Sequence, residues 1–298
     1  MAEFLLTCES TIDLPYSWAQ ERGIPVIFYT YMVNGEEKED DMQRTPGAST
    51  AFWQMEEQGT IPTTSQINQA RFEEFFRSLP EDQDILHLSL SSGITGTVHN
   101  ARLAAQTLME ENPGRTIRVI DSLCASGGYG LFTAMVWDWT ASGLSLEETV
   151  RRAEEASLHV HHQFFTTDLK YFRRTGRVSG AASAVAAVLN LCPLMQVSRD
   201  GHLKAYSKVR GKKAAREAVL KWMEEHAENG KNYDGKCVIN HSYLPEEAKL
   251  LKEEVEERFP NLRGKIIMTE IGAVISAHAG PGTAVVYFYG DLRPEGGN

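Results

Sequence analysis

A chain of 298 residues, 42% hydrophobic and 23% charged, is long enough to bury a substantial core and as a prior divides into two compact units. Its formal net charge of −10 argues against broad electrostatic attraction to nucleic acid or to an anionic membrane surface. Four scattered cysteines (Cys8, Cys124, Cys192 and Cys237) form no CxxC pair, which argues against a zinc knuckle or disulfide scaffold and suits reduced thiols in the cytoplasm.

The opening residues Met1-Ala2-Glu3-Phe4-Leu5-Leu6 lack a basic region and a long apolar stretch, so no signal peptide is expected. No apolar run approaches the roughly 20 residues of a membrane span, and no stable membrane insertion is expected. Phe4 to Cys8 reads as a short strand ending in Glu9-Ser10-Thr11. Pro25 to Val33 reads as a second, closed by Asn34-Gly35. Phe72, Phe75 and Phe76 recur at helical spacing after Thr63-Thr64-Ser65-Gln66. Asp84 to Leu90 is a strand candidate, Ala101, Ala104, Ala105 and Leu108 mark the buried face of a helix, and Thr116 to Ile120 is the next strand. This alternation predicts α/β architecture with a parallel sheet flanked by helices.

A helix from about Leu146 to His159 leads out of this unit, and a domain boundary is expected near residue 160 (domains 1–160 and 161–298). Beyond it, Leu194–Ser198 and Leu203–Arg210 flank Arg199-Asp200-Gly201-His202, a hairpin signal. Two charged amphipathic helices follow near Lys212–Glu228 and Pro245–Arg258, with a strand at Lys236–Asn240. Strands near Lys265–Glu270 and Ala284–Tyr289 complete a second α/β domain, with a glycine-rich turn at Ala277–Gly282 presenting His278.

Three hydroxyl-rich segments sit where strands are expected to end: Glu9-Ser10-Thr11, Thr63-Thr64-Ser65-Gln66, and Ser91-Ser92-Gly93-Ile94-Thr95-Gly96-Thr97. Such ends line one crevice in an open α/β sheet, and helix N-termini beside it favour an anion. Taken singly, each cluster is adequately explained as a helix cap. Gly93 and Gly96 would let the backbone approach a ligand. The basic segment Leu169–Val178, the Arg210-Gly211-Lys212-Lys213 cluster and His278 could face those hydroxyls across a cleft and suit an anionic head group. Val178 to Leu191, rich in Ala, Val and Leu, reads as a core helix, or as one wall of a narrow apolar channel.

Taken in order, Thr64-Ser65-Gln66, Ser91–Thr97, Asp121-Ser122, Gly176-Arg177-Val178, Arg210 and His278-Ala279-Gly280-Pro281-Gly282 resemble the motif set of DegV proteins across essentially the whole chain. That resemblance implies a two-domain fold holding a long-chain fatty acid between its domains. The carboxylate would lie on Thr64 and the Ser92/Thr95 loop, the neighbouring Ser10, Ser65 and Ser122 belonging to the same hydroxyl set, and the tail would enter an apolar tunnel. It also implies a non-enzymatic role as the lipid-presenting subunit of a fatty-acid kinase, with a separate ATP-dependent subunit as partner and no cofactor beyond the bound lipid. Arg177, Arg210 and His278 would then engage the acyl phosphate or help position the kinase. The chain departs from the family pattern at Cys8-Glu9, where Thr-Asp is usual, at Ile94-Thr95, where Leu-Ser is usual, and at Cys192, where Lys is often found before Pro193.

A serine hydrolase or acyltransferase using Ser92 or Ser122 with His278 is the main rival, but the chain has no Gly-x-Ser-x-Gly elbow. Nor does the Ser91–Thr97 loop carry either glycine-rich nucleotide pattern.

Overall fold

The computed structural model describes residues 3–178 and 190–295. Its elements run β1 (Phe4–Glu9), α1 (Tyr16–Glu21), β2 (Val26–Ile27), β3 (Thr30–Val33), β4 (Glu36–Glu39), α2 (Ala48–Glu57), β5 (Thr63–Thr64) and α3 (Gln69–Arg77). Then follow β6 (Asp84–Ser89), α4 (Thr97–Glu111), β7 (Ile117–Asp121), α5 (Ser126–Ala141), α6 (Leu146–Ala156), β8 (Val160–Thr166) and α7 (Lys170–Arg174). The remainder is β9 (Leu191–Val197), β10 (Leu203–Arg210), α8 (Lys212–His226), β11 (Cys237–Ser242), α9 (Pro245–Arg258), β12 (Ile267–Glu270), α10 (Ala273–Ala279) and β13 (Thr283–Tyr289). Most of the Val178–Leu191 stretch lies outside the described residues.

The first sheet is wholly parallel, in the order β2-β1-β6-β7. Its inner strands read as near-continuous apolar runs because both faces are covered, as in β6, where five of six residues are buried. Connections leave β1 and β6 in opposite directions, so the switch point of the sheet lies between the C-terminal ends of these two strands. A second sheet has the order β10-β9-β8-β13-β11-β12 and is antiparallel except for the β11–β12 pair. Alternation along β13 serves two cores: Ala284, Val286 and Phe288 pack with residues of α8 and α9, while Val285 and Tyr287 join the core shared with the first sheet.

Helix α5 lies between the two sheets. It is apolar on almost every side, as a helix buried all round must be, and therefore shows no amphipathic period. Three glycines near its start permit that position. A Cβ on Gly127 would sit 1.8 Å from Asn240 Oδ1, one on Gly128 2.2 Å from His162 Nε2, and one on Gly130 2.5 Å from the Ile12 carbonyl oxygen. The amphipathic helices are specified more locally. Asn68 caps α3 by accepting from Arg71 N at 3.0 Å, and Ser145 caps α6 by accepting from Glu148 N at 3.3 Å.

Three expectations need correction, and one strand was not anticipated. Pro25–Val33 is not one strand: β2 belongs to the parallel sheet, and β3 turns away into a small antiparallel sheet of order β4-β3-β5. The Thr63–Gln66 cluster does not cap a helix, because Thr63 and Thr64 pair with Met32 and Tyr31 and Asn68 provides the cap. Residues 277–279 are not a turn but the end of α10, so His278 stands on the last turn of a helix. Strand β8, the neighbour of β13, follows the Leu146–Ala156 helix directly and was not signalled by alternation, since all seven of its residues are buried. Among the described residues, no helix is long and apolar enough to cross a membrane.

Candidate ligand-binding site

The switch point is organised by Glu9. Its carboxylate is fully buried, accepts from Ser89 Oγ at 2.6 Å and from Leu90 N at 3.0 Å, and lies 3.5 Å from His87 Nε2. Glu9 therefore ties the end of β1 to the end of β6 and to Leu90, the residue that precedes the Ser91–Thr97 loop. Glu9 N also receives a partner, donating to Tyr129 Oη at 3.0 Å. The loop is clamped from its other side as well. Ser91 Oγ donates to the Gly201 carbonyl at 2.9 Å, and a Cβ on Gly93 would fall 2.5 Å from the Gly201 carbonyl carbon. Gly93 thus permits the close approach of the β9–β10 turn. Both halves of the chain fix this loop.

Beyond the switch point is a cavity of about 500 Å³. Its polar lining comes from Thr64, Ser65 and Gln66, the Gly93–Gly96 loop, Arg177, His202 and His278. Thr64 Oγ1 and His278 Nε2 are 2.7 Å apart and share a hydrogen bond that links β5 to α10. Tyr29 Oη donates to Thr97 Oγ1 at 2.8 Å, and Thr97 Oγ1 is 3.0 Å from Thr95 Oγ1, so the hydroxyls under the loop are preordered. The N-terminus of the 15-residue α4 begins here, next to the lining residue Gly96, and its first N–H, that of Thr97, donates to Thr95 Oγ1 at 3.3 Å. Burial first, then Arg177 and Arg174, push the His278 pKa down to about 4. The imidazole is therefore neutral near pH 7, and Arg177 brings a formal positive charge to the cavity lining.

A second, apolar cavity of about 60 Å³ adjoins the first. The two share Ile94, Arg177, Leu203, Ile275 and His278, and the inner one continues along Phe164, Phe172, Val197, Val285 and Tyr287. His162 also lines it without making it polar: Nε2 accepts from Ala125 N at 3.0 Å and Nδ1 donates to the Val160 carbonyl at 2.9 Å. At the junction, Arg177 Nε and His278 Nδ1 are buried without a hydrogen-bond partner among the described residues. Buried polar atoms left unpaired in a folded chain invite an external partner.

The anticipated residues divide clearly. Thr64, Ser65, Thr95, Arg177 and His278 line the polar cavity. Ser10 does not, because its hydroxyl donates to Asp40 Oδ2 at 2.9 Å and accepts from Tyr29 N at 3.1 Å in a fully buried setting. Ser122 is also fully buried, its Oγ accepting from Cys124 N at 3.1 Å. Ser92 is exposed and outside the cavity lining, its backbone N–H donating to Asp121 Oδ1 at 3.1 Å. Arg210 is exposed at the end of edge strand β10. Of the two serines considered for hydrolysis, neither bonds to His278, whose Nε2 is engaged by Thr64. Tyr29, Ile94 and Leu203 were not anticipated in the lining; their apolar or aromatic character alone gave no signal separating them from core.

Helix α10 is held at its start by two buried acids. Asp13 Oδ1 accepts from Gly272 N at 3.0 Å and its Oδ2 from Ser126 Oγ at 2.5 Å, while Asp40 takes the Ser10 hydroxyl. Burial is the main reason the Asp40 carboxyl is pushed up to about 6, and burial followed by the Asp40 charge raises Asp13. A folded pKa above the unfolded one means the folded state holds the proton more tightly. This contribution is full below about pH 4 and is lost as pH rises through about 6. Asp40→Asn removes the charge and keeps the shape, so it should stabilise the protein at pH 7 by about 1–2 kcal/mol, a gain that shrinks towards zero near pH 4. Urea unfolding of both proteins at the two pH values checks this; a pH-independent difference would contradict it.

Among the described residues, no cluster of three or more His, Cys, Asp or Glu side chains could hold a metal ion. A family model described as uncharacterised protein, DegV family, matches residues 3–290. A DegV domain-containing protein of Clostridium perfringens is 30% identical over 296 residues, covering 98% of this chain and 99% of the relative. A fatty acid-binding protein of Thermotoga maritima is 29% identical over 286 residues, covering 92% and 93%. Among solved structures, that of a DegV family protein from Thermus thermophilus, described for its fatty acid binding, superposes with a TM-score of 0.83 at 29% identity, covering 97% of this chain and 100% of that one.

Proposed function

The chain belongs to the DegV family, and on that premise we propose that it binds a long-chain fatty acid and presents it, from cytoplasmic solution, to a separate ATP-dependent kinase. The observation that carries this reading is the junction of a polar cavity with an apolar one through a shared rim of Ile94, Arg177, Leu203, Ile275 and His278. An amphiphile with one anionic end fits that division. Its carboxylate accepts from Thr64, Thr95 and the Arg177 guanidinium near the N-terminus of α4. Its tail runs inward over Phe164, Phe172 and Val285, each buried methylene contributing about 0.8 kcal/mol. Fatty acid binding described for the Thermotoga and Thermus relatives supports the same ligand class here.

The inner cavity, at about 60 Å³, has room for about two water molecules. A long tail therefore enters with repacking of the side chains around it, and binding should raise the unfolding temperature by an amount that grows with the logarithm of ligand concentration over Kd. The head group stays at the polar mouth, where a second protein can reach it. This reading gives the chain no self-sufficient catalysis and no cofactor other than the lipid; the phosphoryl donor belongs to the partner.

Thr64→Val should weaken fatty-acid binding about tenfold while the fold survives, because one charge-assisted hydrogen bond to the carboxylate is lost. Titration of the folded variant checks this, and unchanged affinity would remove Thr64 from the head-group site. With a kinase partner, Arg177→Ala should lower phosphoryl transfer more than it lowers binding. Equal phosphorylation rates at saturating lipid would refute the role of Arg177 in transfer.

A further inference from the structure

We infer that Thr283 is a further ligand-binding residue, whose hydroxyl selects acyl chains that carry an oxygen of their own, as hydroxy fatty acids do. The inference rests on the fatty-acid reading and adds the chemical class of the tail.

Thr283 opens β13 and is 1% exposed. It lines the inner apolar cavity from the same strand face as Val285 and Tyr287, and it is absent from the lining of the polar mouth. Its Oγ1 is buried and has no hydrogen-bond partner among the described residues. Of the other hydroxyl and imidazole groups of this wall, Ser126 is engaged with Asp13, Tyr287 with Ser126, and His162 with Val160 and Ala125, while His278 bonds Thr64 through Nε2. Thr11 and Thr149 also have unpaired hydroxyls, yet neither lines a cavity described above. Arg177 and His278 lie on both cavities and so border the polar mouth. Thr283 lies only on the inner one.

A tunnel made solely for a hydrocarbon would be better served by valine, which has the same shape, a high strand preference and no hydroxyl to desolvate. An oxygen on the acyl chain would give the Thr283 hydroxyl the partner that the protein does not. The chain oxygen would in turn recover the hydrogen bond it leaves behind in water.

The test is titration of wild type, Thr283→Val and Thr283→Ser with stearate and with hydroxystearates carrying the hydroxyl near the carboxyl, in mid-chain or near the terminus. Wild type should bind one hydroxystearate about fivefold tighter than stearate. Thr283→Ser should keep that order, and Thr283→Val should reverse it while binding stearate at least as well. No preference in wild type, or a preference that persists in Thr283→Val, would overturn the inference. So would an equal loss for every ligand in Thr283→Val, which would mean that the hydroxyl serves the carboxylate or the fold. If wild type bound none of these lipids, the fatty-acid reading itself would fail.

Discussion

Ile275→Trp is expected to reduce fatty-acid affinity about 100-fold and leave the protein folded. Ile275 stands on α10, half-buried, and borders both the polar and the apolar cavity. An indole at this rim occupies the passage through which the tail must enter. Excluding about four methylenes from the inner cavity would cost about 3 kcal/mol, which corresponds to that loss of affinity. Half-burial gives the larger side chain an outlet, so overpacking should cost little stability. Ile275→Ala, which widens the same passage, should change affinity by only a few-fold. Titration of both variants, with urea unfolding to establish that each is folded, makes the comparison. If the tryptophan variant bound as wild type does, the tail would take another route and the junction would lose its assigned role.

Gly130→Ala should destabilise the protein by about 2–3 kcal/mol, against the direction that helix preference predicts. In an exposed helix interior this substitution gains about 1 kcal/mol. Here the added methyl would meet the Ile12 carbonyl oxygen at 2.5 Å and Leu14 Cγ at 2.8 Å. The first is backbone, held in the turn that follows β1, and cannot yield as a flexible side chain would. The helix must therefore shift, and because α5 is packed between the two sheets the shift disturbs contacts on both of its sides. The midpoint of urea unfolding should fall with an unchanged slope. A stabilised variant would mean that α5 is free to move between the sheets.

Parts of this arrangement could be read in the sequence because local chemistry specified them. Asp-Gly marked the β9–β10 hairpin through the turn it permits, and Phe72 and Phe76 marked the buried face of α3. The Ser91–Thr97 loop and Thr64 carried enough hydroxyl and glycine chemistry to be noticed before any fold was known. Other parts were set by tertiary packing and left no local trace. Helix α5 is apolar on nearly all faces and begins Ser-Gly-Gly, so neither periodicity nor propensity marked it. Strand β8 is wholly buried and shows no alternation.

Ser10 shows the limit at the site itself. It belongs to a hydroxyl cluster at the end of β1, as its neighbours suggested, but its partner Asp40 is supplied from 30 residues away and turns it into an internal hydrogen bond. Glu9 works in the opposite sense. It stands where the family pattern has aspartate, and its carboxylate reaches Ser89 and Leu90 across the switch point, just ahead of the loop. His278 was identified by residue type and misjudged in setting, because the helical turn ahead of Gly280 depends on Ser276 accepting from the Gly280 N–H at 2.8 Å.

The most direct measurement is mass spectrometry of an organic extract from freshly purified, natively folded protein, followed by fatty-acid titration of the delipidated sample. The account predicts a long-chain fatty acid in near-stoichiometric amount and saturable rebinding that raises the unfolding temperature. An extract without fatty acid, together with no binding on titration of the folded protein, would contradict it.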